Sequence, residues 1–444
     1  MPGINYYQTN KKNYYTLSPR ILRAGENSEI TVKSRYVTAY PHFVLEGAYY
    51  VLVSPVLEYD VAASSATEQN PILVEAKDGV LSFSYFFGFE QDYIISIWHK
   101  LESGEKELIL NTFVYALEKD LYELMPLRGN THLHSVYSDG LEEPLQHIGA
   151  ALKYGFDYIA LTDHNNYLGS VEAKKYLDKL SDFGIKNQLT ILNGEEFSCN
   201  FQPMHIISLG ATQALPKELY TLPEIPEFDS KEEKLKWIVE RLVELTDKIH
   251  ELGGLSVLCH PYWKPIFDWT RLDAPHSLIK AFIKSGSIDA FEVVGGSPKG
   301  NTIISQQQHL LALECLRDAP KPYAFLGQSD SHIVNDDSVS QLFGTHYTIA
   351  FCKENSRESI LEAIKERRTV AVEETDGVCE FFGELRLVNF CRFLDKEYFA
   401  IAKSEKQLWF KIFSLCAEGD FDSANILSNA LNNIRSVSYN DLKI

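Results

Sequence analysis

Hydrophobic and polar positions follow two different rhythms along the chain, and the change comes near residue 125. Before it lie short runs rich in aromatic and β-branched residues: Ile30–Tyr36, Tyr49–Val53, Val80–Phe86, Tyr93–Trp98 and Leu108–Ala116. In Leu81-Ser82-Phe83-Ser84-Tyr85 apolar residues alternate with serine, the period-two mark of a half-buried strand. Asp78-Gly79 is the turn signal that leads into it. Several strands at this spacing predict an all-β sandwich of about 120 residues. No catalytic constellation falls within it, so packing or assembly is its expected role.

From Leu127 onward, strand-like and helix-like patterns alternate. Tyr158–Thr162, Leu189–Leu192, Ile206–Leu209, Leu255–Cys259, Ala290–Val294 and Tyr323–Leu326 are short apolar runs. Helical stretches stand among them, such as Pro144–Tyr154, Lys231–Leu252 and Ser305–Leu316, while Pro223–Asp229 reads as a loop. Arg357–Arg368 is a last helix before the strand-like Thr369–Val372. Such βα alternation implies a parallel sheet or barrel. The chain thus divides into a β-rich segment over 1–125, an α/β unit over 126–375 and a helical extension over 376–444. The tail from Phe393 suits either packing on the barrel or assembly into a homo-oligomer, and the sequence leaves both open.

Composition narrows the classes. With 45% hydrophobic and 23% charged residues in 444, the chain has ordinary globular content and is neither disordered nor collagen-like. A formal charge of −19 makes long nucleic acids and anionic membranes poor partners. The seven cysteines are scattered and none forms C-x-x-C, so neither a disulfide framework nor a thiolate zinc site is suggested. No apolar run reaches the roughly 18 residues of a membrane span. Met1–Lys12 lacks the apolar core of a signal peptide, and a cytoplasmic location is expected.

Histidine placement carries the chemistry. His132-Leu133-His134 closes the first strand of the α/β unit, after the turn-like Arg128-Gly129-Asn130. Residues i and i+2 of a strand share a face, so both imidazoles can reach one metal ion. Ser138-Asp139-Gly140 follows in a turn. The apolar run from Tyr158 ends abruptly in Asp163-His164-Asn165, and Ile191-Leu192 leads to Gly194-Glu195-Glu196. His205 opens the next strand, which calls for a short return loop from Glu196. Leu255–Cys259 ends at His260-Pro261, and Phe325-Leu326-Gly327 ends in Gln328-Ser329-Asp330-Ser331-His332. In α/β barrels active sites form at the C-terminal strand ends, so these side chains should converge.

This series resembles the PHP superfamily, the polymerase and histidinol phosphatase domains. The motifs that match are Gly129–His134, Ser138-Asp139-Gly140, Leu161–Asn165, Gly194–Ser198, His260-Pro261 and Ser329–His332. The β-rich segment ahead of them is similar to the branch of carbaryl-hydrolase-like metallohydrolases. The resemblance implies a distorted (β/α)7 barrel holding two or three divalent ions. It places His132, His134, Asp330 and a bridging Glu196 on a first ion and His205 and His260, with Glu196, on a second. Asp139, His164 and His332 then hold a third. Glu196 is preferred to Glu195 because the family pattern is glycine, any residue, glutamate. Glu196, Asp330 and His332 are the residues expected to serve catalysis.

Nitrogen and oxygen donors suit zinc, manganese or iron, and the sequence does not choose among them. Such ions activate water and neutralise charge on phosphoryl or carbonyl oxygen. A small phosphorylated substrate is therefore expected, with a carbamate, ester or amide, or the end of a short oligonucleotide, as alternatives. A metal-binding module without turnover is the non-enzymatic alternative, and nine intact donor residues weigh against it. Asp163 and Glu292 are candidates to orient imidazoles, with a structural ion pair as the alternative. Lys264, Arg271 and Lys299 are candidate phosphate contacts, with solvated surface the blander reading of each. Gly295–Gly300 reads as a loop at the barrel mouth, and Cys199 and Cys259 as small buried filler.

Overall fold

The computed structural model describes residues 11–57, 70–101, 103–182, 189–262, 274–295, 310–311, 313–314, 317, 319–334, 343–375, 377–433 and 438–444. The chain forms two compact units. The first takes residues up to Leu124, together with Arg392–Tyr398 and the end of the chain through Ile444; the second takes Met125–Cys391 and the helices from Phe399.

In the first unit, β1 (Tyr15–Ser18), β3 (Glu26–Ser34) and β6 (Val80–Phe87) form one sheet in the order β1-β3-β6. The strands β2 (Ile21–Arg23), β4 (Gly47–Pro55), β5 (Ile72–Ala76), β7 (Gln91–Lys100) and β8 (Lys106–Leu117) form the other, in the order β2-β8-β7-β4-β5. Alternation decides which side chains lie between them. Ile30, Val32, Leu81 and Phe83 of one sheet join Val51, Val53, Ile95, Ile97 and Val114 of the other in a single apolar cluster. At the corner between β5 and β6, Asp78 (φ 52°) and Gly79 (φ 79°) both adopt the left-handed conformation that a two-residue primed turn requires. The expected sandwich is present.

The second unit is an α/β barrel made of two curled sheets. One has the order β11-β10-β9-β17-β18-β19, from β9 (Met125–Asn130), β10 (Tyr158–Ala160), β11 (Thr190–Leu192), β17 (His346–Cys352), β18 (Thr369–Thr375) and β19 (Val378–Gly383). The other is β12-β13-β14-β15-β16, from β12 (Gly194–Ser198), β13 (His205–Leu209), β14 (Leu255–Leu258), β15 (Ala290–Gly295) and β16 (Ala324–Gln328). Isolated bridges from Leu133 to Ser331 and from His164 to Glu196 join the sheets at one end. Along a second seam Thr348 Oγ1 donates to Gly327 O at 2.9 Å. Tyr158, Ala160, Leu192, Ile207, Leu209, Val257, Ala290, Leu326 and Ala350 belong to one core cluster of the barrel.

The strands are not uniformly parallel. β9, β10 and β11 are parallel, as are β14, β15 and β16. β13 runs antiparallel to both neighbours, and β17 runs antiparallel to β9 and β18. β12 and β13 form a hairpin, which brings His205 back beside Glu196 without a crossover helix. Arg128-Gly129-Asn130 is not a turn but the end of β9. Gly129 is required there because a Cβ would lie 2.4 Å from the Tyr158 ring. β19 lies inside the segment expected to be helical from 376; helices follow it at Leu385–Leu394, Ala400–Ala417 and Phe421–Asn433.

The helices behave as their patterns direct. Lys231–Glu251 buries Ile238, Leu242, Leu245 and Ile249, one stripe of a 3.6-residue period. Its Ser230 cap accepts from Glu233 N at 3.1 Å. Each such aliphatic side chain contributes about 1.5–3 kcal/mol on burial. Pro144–Tyr154 begins with proline and ends at Gly155, φ 83°, as a helix bounded in this way should. Among the described residues no helix is long and apolar enough to cross a membrane. Most of the expected helix Ser305–Leu316 lies outside the described residues.

Candidate metal centre

All nine side chains singled out by motif stand at one end of the barrel. His132 and His134 follow β9 on extended backbone, and both are wholly buried. The intervening Leu133 turns away and bridges Ser331. The next loop is fixed by Asp163, whose carboxylate accepts from Ser135 N at 2.7 Å and Ser138 Oγ at 2.8 Å. That loop carries Asp139 back over the site. It closes only because residue 140 is glycine: a Cβ there would sit 2.1 Å from His134 O. Asp163 thus holds the loop rather than an imidazole. His164 follows β10, Glu196 lies within β12, His205 opens β13, His260 follows β14, and Asp330 and His332 follow β16.

Glu196 is the hub. Its Oε2 lies 3.3 Å from His132 Nε2, 3.1 Å from His134 Nε2 and 3.2 Å from His164 Nδ1. Its Oε1 lies 2.9 Å from His205 Nδ1 and 3.1 Å from His260 Nε2. Asp330 Oδ1 is 3.1 Å from both His132 Nε2 and His134 Nε2. Asp139 Oδ2 is 3.3 Å from His332 Nε2 and 3.8 Å from His164 Nε2. Glu195 faces the other way, where its Oε1 accepts from Leu215 N at 3.0 Å.

The donor atoms fall into overlapping groups. His132, His134, Glu196 and Asp330 form one, and Asp139, His164 and His332 form another together with His134. His205 groups with His164 and Glu196, whereas His260 groups with His132, Glu196 and Cys259. The resemblance had joined His205 and His260 on one ion; here they share Glu196 Oε1 but stand in different groups.

Other groups at the site were not singled out as donors. Ser198 Oγ is 3.0 Å from His164 Nδ1 and 3.2 Å from His205 Nε2. It stands two residues beyond Glu196 on β12, so strand alternation already put it on the same face. Glu292 Oε2 lies 3.0 Å from His132 Nδ1, with both side chains wholly buried, so of its two readings the imidazole-orienting one has the geometry. Lys264, Arg271, Lys299 and the loop from Gly296 to Gly300 lie outside the described residues.

The electrostatics fit a cation. Burial alone would push Glu196 and Asp330 up, but the facing histidines, His132 foremost, hold both well below the usual carboxylate range. Conversely, burial works to lower His134, yet the carboxylates of Asp330 and Glu196 against its ring raise it to about 9. These imidazoles bind protons where opposite charge is demanded. His132 Nδ1 faces Glu292 and its Nε2 faces two carboxylate oxygens, those of Glu196 and Asp330. His132 Nε2, His134 Nε2 and Glu196 Oε2 are buried and make no hydrogen bond among the described residues. Buried lone pairs converging in this way repel unless a proton or metal ion lies between them.

The PHP domain matches residues 130–314. The chain is 30% identical over 147 residues to an uncharacterized protein of Methanocaldococcus jannaschii, a match covering 31% of this chain and 68% of that protein. It is 37% identical over 67 residues to the DNA polymerase/3'-5' exonuclease PolX of Bacillus subtilis, covering 15% of this chain and 11% of that one. Among solved structures it is similar to a two-domain protein from Bacteroides vulgatus containing a predicted PHP-like metal-dependent phosphoesterase. There the identity is 20% and the TM-score 0.39, over 56% of this chain and 65% of that one. The chain belongs to the PHP domain family.

Proposed function

We propose that this protein is a metal-dependent phosphoesterase that hydrolyses a small phosphorylated substrate at a centre of two or three divalent ions. The observation that carries the reading is the Glu196 carboxylate, which presents one oxygen to His132, His134 and His164 and the other to His205 and His260. A carboxylate shared in this way would serve as a ligand to more than one ion. His132, His134 and Asp330 would hold one ion beside it, and Asp139, His164 and His332 another. His205 and His260 complete the set around Oε1. Divalent ions at such a site generate a nucleophile from water at neutral pH and neutralise charge developing on phosphoryl oxygens.

The protein's own residues supply position and exclusion. Glu292 fixes the His132 tautomer, so that Nε2 faces the centre. Ser198 Oγ meets the other ring nitrogen of His205, Nε2, so that Nδ1 of that imidazole faces Glu196. His132, His134 and Glu196 are sealed from solvent, whereas Asp139, His164 and His332 retain 55%, 26% and 26% side-chain exposure. Substrate therefore meets the Asp139 edge first. Several divalent ions outweigh the site carboxylates and attract an anion, which favours a phosphate ester over a neutral carbamate or amide.

The test is turnover of aryl phosphomonoesters, phosphodiesters, short oligonucleotides and aryl carbamates by chelated protein resupplied with manganese, zinc or iron. Metal-dependent release of phosphate from a small ester supports the reading. Carbamate turnover without phosphoester turnover moves the protein to the rival class. The Bacillus PolX relative carries an exonuclease name, so processing of oligonucleotide ends as the sole activity would point to that chemistry instead.

A further inference from the structure

Cys259 stands immediately before His260, at the bottom of the centre. It is buried with 1% exposure, and its Sγ lies 3.4 Å from Glu196 Oε1. On regular extended backbone, neighbouring residues point to opposite faces, as Glu195 and Glu196 do. At this point alternation fails: His260 has φ 24°, and the bent backbone turns both the thiol and the imidazole toward Glu196. The donor atoms of His132, Glu196, Cys259 and His260 all lie within 4.8 Å of one another. Two atoms of this quartet, His132 Nε2 and Glu196 Oε2, are buried without a hydrogen bond among the described residues.

We propose that Cys259 is a sulfur ligand of the centre, binding together with Glu196 Oε1 and His260 an ion separate from the one that His132, His134 and Asp330 would hold. The proposal rests on the metal-centre reading above. Bond lengths of about 2.3 Å to sulfur and about 2.0–2.2 Å to oxygen put two ligands of a tetrahedral ion about 3.6 Å apart. The 3.4 Å between Sγ and Oε1 is close to that. One imidazole, one carboxylate oxygen and one sulfur make three protein donors, the number zinc takes in a tetrahedral catalytic site whose fourth position is left to water or substrate. On binding, the thiol loses its proton to solvent and a metal–sulfur bond forms, so uptake of the ion releases a proton. A soft donor tilts this position toward zinc and away from manganese. The other cysteine of the barrel core cluster, Cys352, belongs to none of the donor groups and serves as the control.

The test uses full-length protein stripped with a chelator and reloaded with cobalt(II), a spectroscopic stand-in for zinc. A near-ultraviolet thiolate-to-cobalt charge-transfer band is expected in the wild type and in Cys352→Ser, and its loss is expected in Cys259→Ser. Cys259→Ala, which adds no buried hydroxyl, is the companion variant and should also lack the band. In competition, both Cys259 variants should lose zinc preference over manganese, by more than the about 10- to 100-fold cost of removing a partner that only orients a ligand. Cobalt bound without the band, or a band that survives in both Cys259 variants, overturns the proposal and leaves the metal centre standing. In that case the thiol only donates a hydrogen bond to Glu196. No cobalt bound at all overturns the metal centre and this inference with it.

Discussion

Ile95 in the first unit and Glu196 in the second are both wholly buried, yet their surroundings follow opposite rules. Around Ile95 the inward positions are almost all apolar, with Gln91 the buried polar exception on its strand, and alternation along each strand builds the core. Around Glu196 the same burial is spent on imidazoles and carboxylates that cannot all satisfy one another. The carboxyls make the contrast sharpest. Asp92 of the first unit is pushed up to about 6 by burial, with Lys396 and Arg392 pulling the other way. Glu195 is pushed up to about 7 by burial. Glu196, one residue on, is held well below the usual range by His132 and His205. Burial alone pushes a carboxyl toward its protonated form; a ring of cationic or metal-accepting partners reverses that and favours the charge.

Four substitutions sharpen this comparison. The largest effect belongs to Glu196→Gln, which removes the shared charge and leaves a poorer ligand. Turnover of whichever phosphoester the wild type accepts should fall below detection in a rate assay, while far-ultraviolet circular dichroism stays native. Next, Ile95→Ala should cost about 2–5 kcal/mol in a denaturant melt, as core truncations do. It should leave metal content per folded chain unchanged, since none of the nine candidate donors lies in that unit.

A smaller effect is expected from Glu292→Gln. Losing the charged partner of His132 Nδ1 should weaken metal binding about 10- to 100-fold, read by competition with a chromogenic chelator. An unchanged affinity would make Glu292 a bystander. Smallest is Glu195→Gln. An amide oxygen can still accept from Leu215 N, so kcat/KM should stay near the wild-type value. Loss of activity there with activity kept in Glu196→Gln would mean the hub is misassigned by one residue.

Much of this was legible because the chemistry sits in short, rigid spacings. His132 and His134 at i and i+2, and Asp163-His164 after an apolar run, announce the mouth of a barrel by themselves. The helix Pro144–Tyr154 was readable from proline at one end and glycine at the other. What escaped was set by distant neighbours. β17 is buried at all seven positions, so it shows no alternation to read. Arg128-Gly129-Asn130 looks like a turn, because nothing local tells that Gly129 makes room for Tyr158 or that Asn130 Nδ2 donates to Ser329 Oγ at 2.7 Å. The antiparallel hairpin β12–β13 could be sensed only as a short return to His205. The placement of Cys259 depends on one backbone angle at His260, which no residue pattern reports.

On the proposed reading, nine side chains around a shared Glu196 hold several ions rather than one. Elemental analysis of the purified protein after supplementation with zinc, manganese and iron tests it most directly. More than one transition-metal ion per folded chain is predicted, falling to one or none in Glu196→Gln. At most one ion in the supplemented wild type, or an unchanged count in Glu196→Gln, would contradict it.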